Sequence, residues 1–210
     1  MGVTIYYRGT LAPGADRAEL AREITDISKT NGWEVKLLQR DLTKEENAAA
    51  LLNHVAAAGA GAYLIEGVAF RAHPDTHWVS LFLTPDDRLL RFGPALDPLA
   101  FPWNPELIQW VRADLQEGGA DNYFPVINLL RYLGKKYFAD FELKDETGYY
   151  DTSNEANARE TYARYKQLTH YVTDALSSVD LSGAETPEEL KALIERVLPG
   201  AQVRLMGEEE

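Results

Sequence analysis

The stretch from Ala62 to Gly93 constrains the fold more than any other, because it carries the densest apolar patterning in the chain and its only clustered histidines. Ala62 to Phe70 is apolar except at Glu66 and Gly67. From Trp78 to Thr84 the pattern alternates, with Val79, Leu81 and Leu83 on one side and Trp78, Ser80 and Phe82 on the other, which predicts a strand buried on most of both faces. Between them lies a polar segment, Arg71 to His77, in which Pro74 cannot donate a ladder hydrogen bond, so a loop is expected there. Thr84-Pro85-Asp86-Asp87 has proline where a turn wants a fixed φ, and Leu89 to Phe92 returns as a third strand. The expected result is an antiparallel meander.

The flanking elements follow from capping signals and period. Val3 to Leu11 alternates as a strand, and Asp16 with Glu19 opens a helix whose apolar stripe is Leu20, Ile24 and Ile27. Asn31-Gly32 closes it, and Trp33 to Leu38 reads as a strand, so the opening reads as a β-α-β unit. Thr43 to Glu46 repeats the capping pattern ahead of the alanine-rich run Ala48 to Ala58, which is expected to be a short helix ending at Gly59, and the proline-rich span from Pro94 to Pro105 is expected to be an ordered loop carrying Phe101 and Trp103. Leu107 to Leu115 is read as a strand, with a short helix as the alternative. Asp121 is expected to cap a helix from Asn122 to about Phe138, and Phe141 to Tyr150 to form a final strand. Thr152 and Glu155 mark a long helix with an inward stripe of Ala158, Tyr162, Tyr165, Thr169, Val172 and Leu176. Thr186-Pro187-Glu188-Glu189 starts the last helix, and Gly207 to Glu210 reads as a frayed acidic tail. These elements predict a single α+β domain over residues 1–206, with a mostly antiparallel sheet and helices packed chiefly on one face.

Composition narrows the function classes. A chain that is 45% hydrophobic supports a packed core, and the absence of cysteine removes disulfides, thiolate nucleophiles and cysteine metal sites together. No basic leader and no span-length apolar run is visible, so a cytoplasmic protein that does not cross a membrane is expected. The net charge of −12 is uneven, with 13 acidic and 10 basic residues up to position 105 against 20 and 11 after it. Such a surface repels phosphate backbones, which disfavours nucleic acid as a direct partner. Neither a nucleophile elbow, a phosphate loop nor a dinucleotide fingerprint occurs.

Four groups of residues remain as candidates. His73, Asp75 and His77, with Glu66 on the preceding strand, could converge on zinc, manganese or iron and support metal-assisted hydrolysis through a bound water of lowered pKa. The alternative is a polar loop whose histidines cap strand ends or sit in solvent. Asp145, Glu146 and Asp151 could take a hard cation, or could be a solvated edge that discourages strand pairing. Tyr149 and Tyr150, beside those acids, together with Trp103, could form a recognition surface, since tyrosine offers contact area with little entropy to lose. Arg131, Lys135 and Lys136 could hold an anion or pair with the acidic segment that follows. Lone His54 and His170 fall within helical patterns as packed or surface residues.

The segments YYRGTLA, RAHPDTHWVSLFLTPDDRL and LLRYLGKKYFADFELKDETGYYDT resemble those of bacterial proteins to which no activity is attached. The resemblance implies a bacterial cytoplasmic setting and transfers no catalytic residue. The leading expectation is therefore a binding or regulatory module that recognises a protein partner or a small ligand and needs no cofactor. The competing one is a divalent-metal hydrolase built on His73, Asp75 and His77.

Overall fold

Residues 3–41, 64–90 and 110–177 are described by the computed structural model. In chain order they form β1 (Thr4–Arg8), α1 (Arg17–Thr30), β2 (Glu34–Asp41), β3 (Leu64–Arg71), β4 (Val79–Leu83) and β5 (Leu89–Leu90). After these come β6 (Val111–Asp114), a 3₁₀ turn (Gln116–Gly118), α2 (Ala120–Tyr137), β7 (Glu142–Asp145), α3 (Tyr149–Thr152) and α4 (Glu155–Ser177). The fold is α+β, with one sheet ordered β6-β1-β7, the other β2-β3-β4-β5, and every pairing antiparallel. The alanine-rich segment, the Trp103 loop and the last helix lie outside the described residues. Among the described residues, no helix is long and apolar enough to cross a membrane. The chain divides into two compact units, 2–162 and, with Met1, 163–210; all that follows concerns the first.

The meander expected from Ala62 onward is present as β3, β4 and β5, and β4 is buried at all five positions. The turn that joins β4 to β5 is fixed by its own polar residues. Thr84 N donates to Arg88 O at 2.9 Å, Thr84 Oγ1 to Asp86 Oδ1 at 2.5 Å, and Arg88 Nε to Asp86 Oδ2 at 2.6 Å. At the head of α1, Asp16 accepts from Ala18 N at 2.7 Å, so the cap read from sequence is real, and Leu20 and Ile24 are the buried stripe.

The opening is not a single β-α-β unit, because β1 lies between β6 and β7 while β2 is the end strand of the other sheet. The two sheets meet where the chain runs on past β1. Leu89 N donates to Gly9 O and Leu11 N to Asp87 O, both at 2.9 Å, and Ala12 N donates to Tyr137 O at 2.8 Å. A side chain completes the junction. Tyr7, fully buried, donates its hydroxyl to Ser80 O at 2.8 Å and accepts from Ser80 N at 2.9 Å. The phenol thus satisfies both backbone groups of β4 just past its last pair with β5, Phe82 with Leu90.

Three boundaries differ from the sequence reading for local reasons. Helix α2 starts at Ala120 with Gly119 (φ 76) as its cap, and Asp121 instead pairs with Arg159 at 2.7 Å. The strand expected from Phe141 to Tyr150 stops at Asp145 and gives way to a turn and the short α3. Helix α4 is capped by Asn154, whose Oδ1 accepts from Asn157 N at 3.1 Å, rather than by Thr152.

Candidate functional site

The cleft with the best claim to bind something is built by the face of the four-stranded sheet that carries β3 residues Val68 and Glu66. Register puts Leu37, Val68 and Leu81 in one cross-strand row of that face and Gln39, Glu66 and Leu83 in the next. The first turns of α1 close one side with Asp16, Arg17, Ala18, Leu20 and Ala21, and Asp87 from the β4–β5 turn completes the rim. The space enclosed is about 760 Å³, within the range of roughly 300–1,000 Å³ usual for small-molecule sites. At Gly67 a Cβ would fall on the backbone of Leu81 and Phe82, so glycine is what lets β3 and β4 approach beside the cleft.

The cleft is apolar below and acidic above. Leu20, Val68, Leu81 and Leu83 are buried in its wall, whereas Leu37 is 68% exposed at its mouth. A leucine that open, on the last strand of a sheet, is hydrophobic surface without cover from the rest of the chain. Among the described lining residues Asp16, Glu66 and Asp87 supply three carboxylates, and Arg17 is the one cation. Arg17 is already engaged: its guanidinium donates to Asp87 Oδ1 through Nε at 2.8 Å, to Glu66 Oε1 at 3.2 Å and to Thr84 O at 2.8 Å. It clamps the 84–88 turn to the helix, with the carboxylates of Glu66 and Asp87 on the rim of the cleft. The rim is therefore electronegative.

Apart from Glu66 on the rim, the described residues singled out from sequence lie elsewhere, and most hold the fold together. His73 Nδ1 accepts from Asp75 N at 3.2 Å and lies 3.6 Å from Asp75 Oδ2, while His73 O accepts from Thr76 N and Thr76 Oγ1. His77 N donates to Asp114 O at 2.9 Å, tying the loop to β6. Glu66 is five residues back along β3, or roughly 17 Å at strand rise, and is paired with Arg17. Among the described residues, no group of three or more His, Cys, Asp or Glu side chains is arranged to hold a metal ion.

Asp145 is a structural hub. Oδ1 accepts from Tyr123 Oη at 2.7 Å, Thr147 N at 2.8 Å, Thr147 Oγ1 at 2.5 Å and Tyr149 N at 3.2 Å, and Oδ2 accepts from Tyr150 N at 2.6 Å. Burial pushes its pKa up, but the hydrogen bonds from Thr147, Tyr150 and Tyr123 outweigh that and hold it below the ordinary aspartate value. Glu146 accepts from Thr4 N at 3.0 Å. Tyr149 is buried against Phe124, with ring centroids 4.5 Å apart, and Tyr150 is half-buried beside Arg131. Arg131 donates to the carbonyls of Tyr149 and Tyr150 at 2.9 and 2.8 Å, so it holds α3 in place. Trp103 lies outside the described residues.

No protein-family model matches this chain, and no curated protein or solved structure matches it either. The cleft itself was missed in the sequence, although one signal pointed to it. Arg17 occupies the first turn of α1, where the helix dipole disfavours a cation, so it needs carboxylates close by. Those carboxylates, Glu66 and Asp87, are the cleft's rim.

Proposed function

We propose that the protein is a ligand-binding module whose site is the cleft between α1 and the β2-β3-β4 face. The observation that carries this is the pairing of an apolar wall with three carboxylates around one fully engaged arginine. Such a site suits a small amphipathic molecule: an apolar body against Leu20, Leu37, Val68 and Leu81, and a cationic or hydrogen-bond-donating head at Glu66 and Asp87. A carboxylate-headed ligand of the same shape meets like charge there. The competing hydrolase reading has only the His73–Asp75 contact in its favour.

Titrating isotope-labelled protein with octylammonium and, separately, octanoate tests the reading. Octylammonium should shift the amides of Ala18, Ala21, Leu38 and Gly67 saturably, octanoate should not, and Ala18→Trp, which fills the cleft from an exposed helix position, should abolish the shifts. Equal response to both probes, or shifts spread away from the cleft, would overturn it.

A further inference from the structure

Strand β2 ends the four-stranded sheet, and among the described residues no strand pairs with its outer edge. That edge is poorly guarded. Glu34–Asp41 runs in unbroken register with β3, from Glu34 opposite Arg71 to Asp41 opposite Leu64, with no proline, glycine or bulge in β2 to stop a further strand from adding. From Glu34 to Gln39 every side chain is exposed or half-buried, so neither face of the strand is closed over by the rest of the chain. The lysine that would guard such an edge, Lys36, is turned inward: its Nζ lies 4.5 Å from the ring of Trp78, which precedes β4 on the far side of β3. Leu37 remains 68% exposed.

The sequence of this strand is complementary to itself. Two copies joined edge to edge by a two-fold axis keep their faces only if residues of the same side meet, so the pairing is centred on a residue and not between two. The centres near the middle of the strand are Lys36, Leu37 and Leu38. Centring on Lys36 sets that lysine against its own counterpart, and centring on Leu38 sets Lys36 against Arg40. Centring on Leu37 avoids both. Leu37 then meets Leu37, Lys36 meets Leu38, Val35 meets Gln39 and Glu34 meets Arg40, with Asp41 falling opposite Trp33. Glu34 already accepts from Arg71 through both oxygens at 2.7 Å, so Arg40 joins a pair that exists. The charges therefore choose the register, while the backbone ladder and the apolar contact supply the attraction.

We infer that the outer edge of β2 is an interface between two copies of this chain, which pair antiparallel about Leu37 and join their four-stranded sheets into one. The second copy supplies the cover that Leu37 lacks within its own chain, and sets its own Leu37 beside the mouth of the cleft. Val35, Leu37 and Gln39 of both copies lie on the cleft face, so the two clefts open next to each other. The interface stands on the strand edge and not on the ligand assigned to the cleft. A strand from another protein would need the match of Glu34 to Arg40 built separately on each side of Leu37, whereas a second copy carries it by symmetry.

Because the chain has no cysteine, single-cysteine variants at exposed positions test the register. L37C should form a disulfide-linked dimer on mild oxidation, since residues directly opposite hold their Cβ atoms within about 5.5 Å. Q39C, roughly 14 Å from its counterpart at strand rise, should not. Sedimentation equilibrium of the unmodified chain should show monomer and dimer in exchange. L37K sets like charges opposite each other and should weaken the dimer by about tenfold or more. R40E and E34K should each weaken it too, and an equimolar mixture of the two should recover it, because each chain then complements the other; misfolded variants would give no such recovery. The octylammonium response of Ala18 should persist in R40E, so failure here and failure of the cleft assignment are distinguishable. An unmodified chain that stays monomeric, Q39C linking as readily as L37C, or a mixture no tighter than its parts would each overturn the inference.

Discussion

Removing the Tyr7 hydroxyl is the sharpest probe of how the two sheets are joined. Tyr7→Phe keeps the ring and its packing, and deletes the one atom that satisfies both Ser80 N and Ser80 O. Both groups are on a residue only 3% exposed, and Tyr7 itself is fully buried, so water does not reach them without movement of the sheets. Leaving a buried backbone donor or acceptor unsatisfied costs about 1–3 kcal/mol each, so the pair together predicts a loss of about 2–6 kcal/mol. That is a large fraction of a typical domain's stability of roughly 5–15 kcal/mol. Urea unfolding should show a lower midpoint with an unchanged slope, since the surface exposed on unfolding is the same. Hydrogen exchange at the Ser80 amide should accelerate beyond what the global loss explains. Ser80→Ala is the control, because both bonds are to backbone and survive it. A Tyr7→Phe loss below about 0.5 kcal/mol, the scatter of an ordinary surface change, would refute the idea that the phenol closes the β4 edge. Burial already raises the Tyr7 pKa well above that of a free phenol, so the bonds hold across the physiological range.

Two further predictions test the other polar centres. Asp145→Asn replaces an acceptor that serves five donors with a group that has only one acceptor oxygen, and should destabilise the protein by about 2–4 kcal/mol, with loss of order at Thr147 to Tyr150 visible as raised amide exchange; an unchanged urea midpoint would show that α3 does not depend on this cap. Glu23 sits where α1 meets α2 and accepts from Tyr132 Oη at 2.6 Å, Lys136 Nζ at 2.8 Å and Tyr137 Oη. Partial burial pushes its carboxyl up, yet the bonds from Lys136, Tyr132 and Tyr137 bring it down to about 2. A depressed carboxylate contributes stability that is complete above its unfolded pKa of about 4.3 and is lost as pH falls through about 2. Glu23→Gln should therefore flatten the fall in unfolding midpoint over that acid window and leave its slope near neutral pH unaltered; identical pH profiles would exclude the contribution.

What could be read from the sequence was what depends on neighbours along the chain. Alternation in Val79 to Leu83 and in Thr4 to Arg8, and the Asp16 cap, are properties of a few consecutive residues, and each gave the right element. The misreadings fell where a side chain reached across the chain. Phe141 to Tyr150 alternates well enough to pass for a strand, but Asp145 gathers the amides of Thr147, Tyr149 and Tyr150, and Gly148 at φ 70 lets the backbone turn into α3. Similarly Asp121, placed like a cap, is taken by Arg159 from a helix 38 residues away. Asp145 and Glu146, which looked available for a cation or a partner, accept from backbone amides.

The same distinction explains why the cleft was hidden. The cleft requires knowing that Glu66 stands opposite Gln39 and Leu83, and that α1 packs on that face rather than the other; neither fact is local. Likewise, that Arg8, Arg112 and Lys144 fall on one side of one sheet follows only from the pairing of β6 and β7 with β1. Period-two alternation had already sorted Tyr6 and Arg8 away from Ile5 and Tyr7. Once β6 and β7 pair on either side of β1, that sorting puts Arg8, Arg112 and Lys144 on one side together with Asp114, Glu142 and Glu146. A net charge of −12 governs the far field of the molecule, while the strand register decides which charges stand side by side on a sheet face.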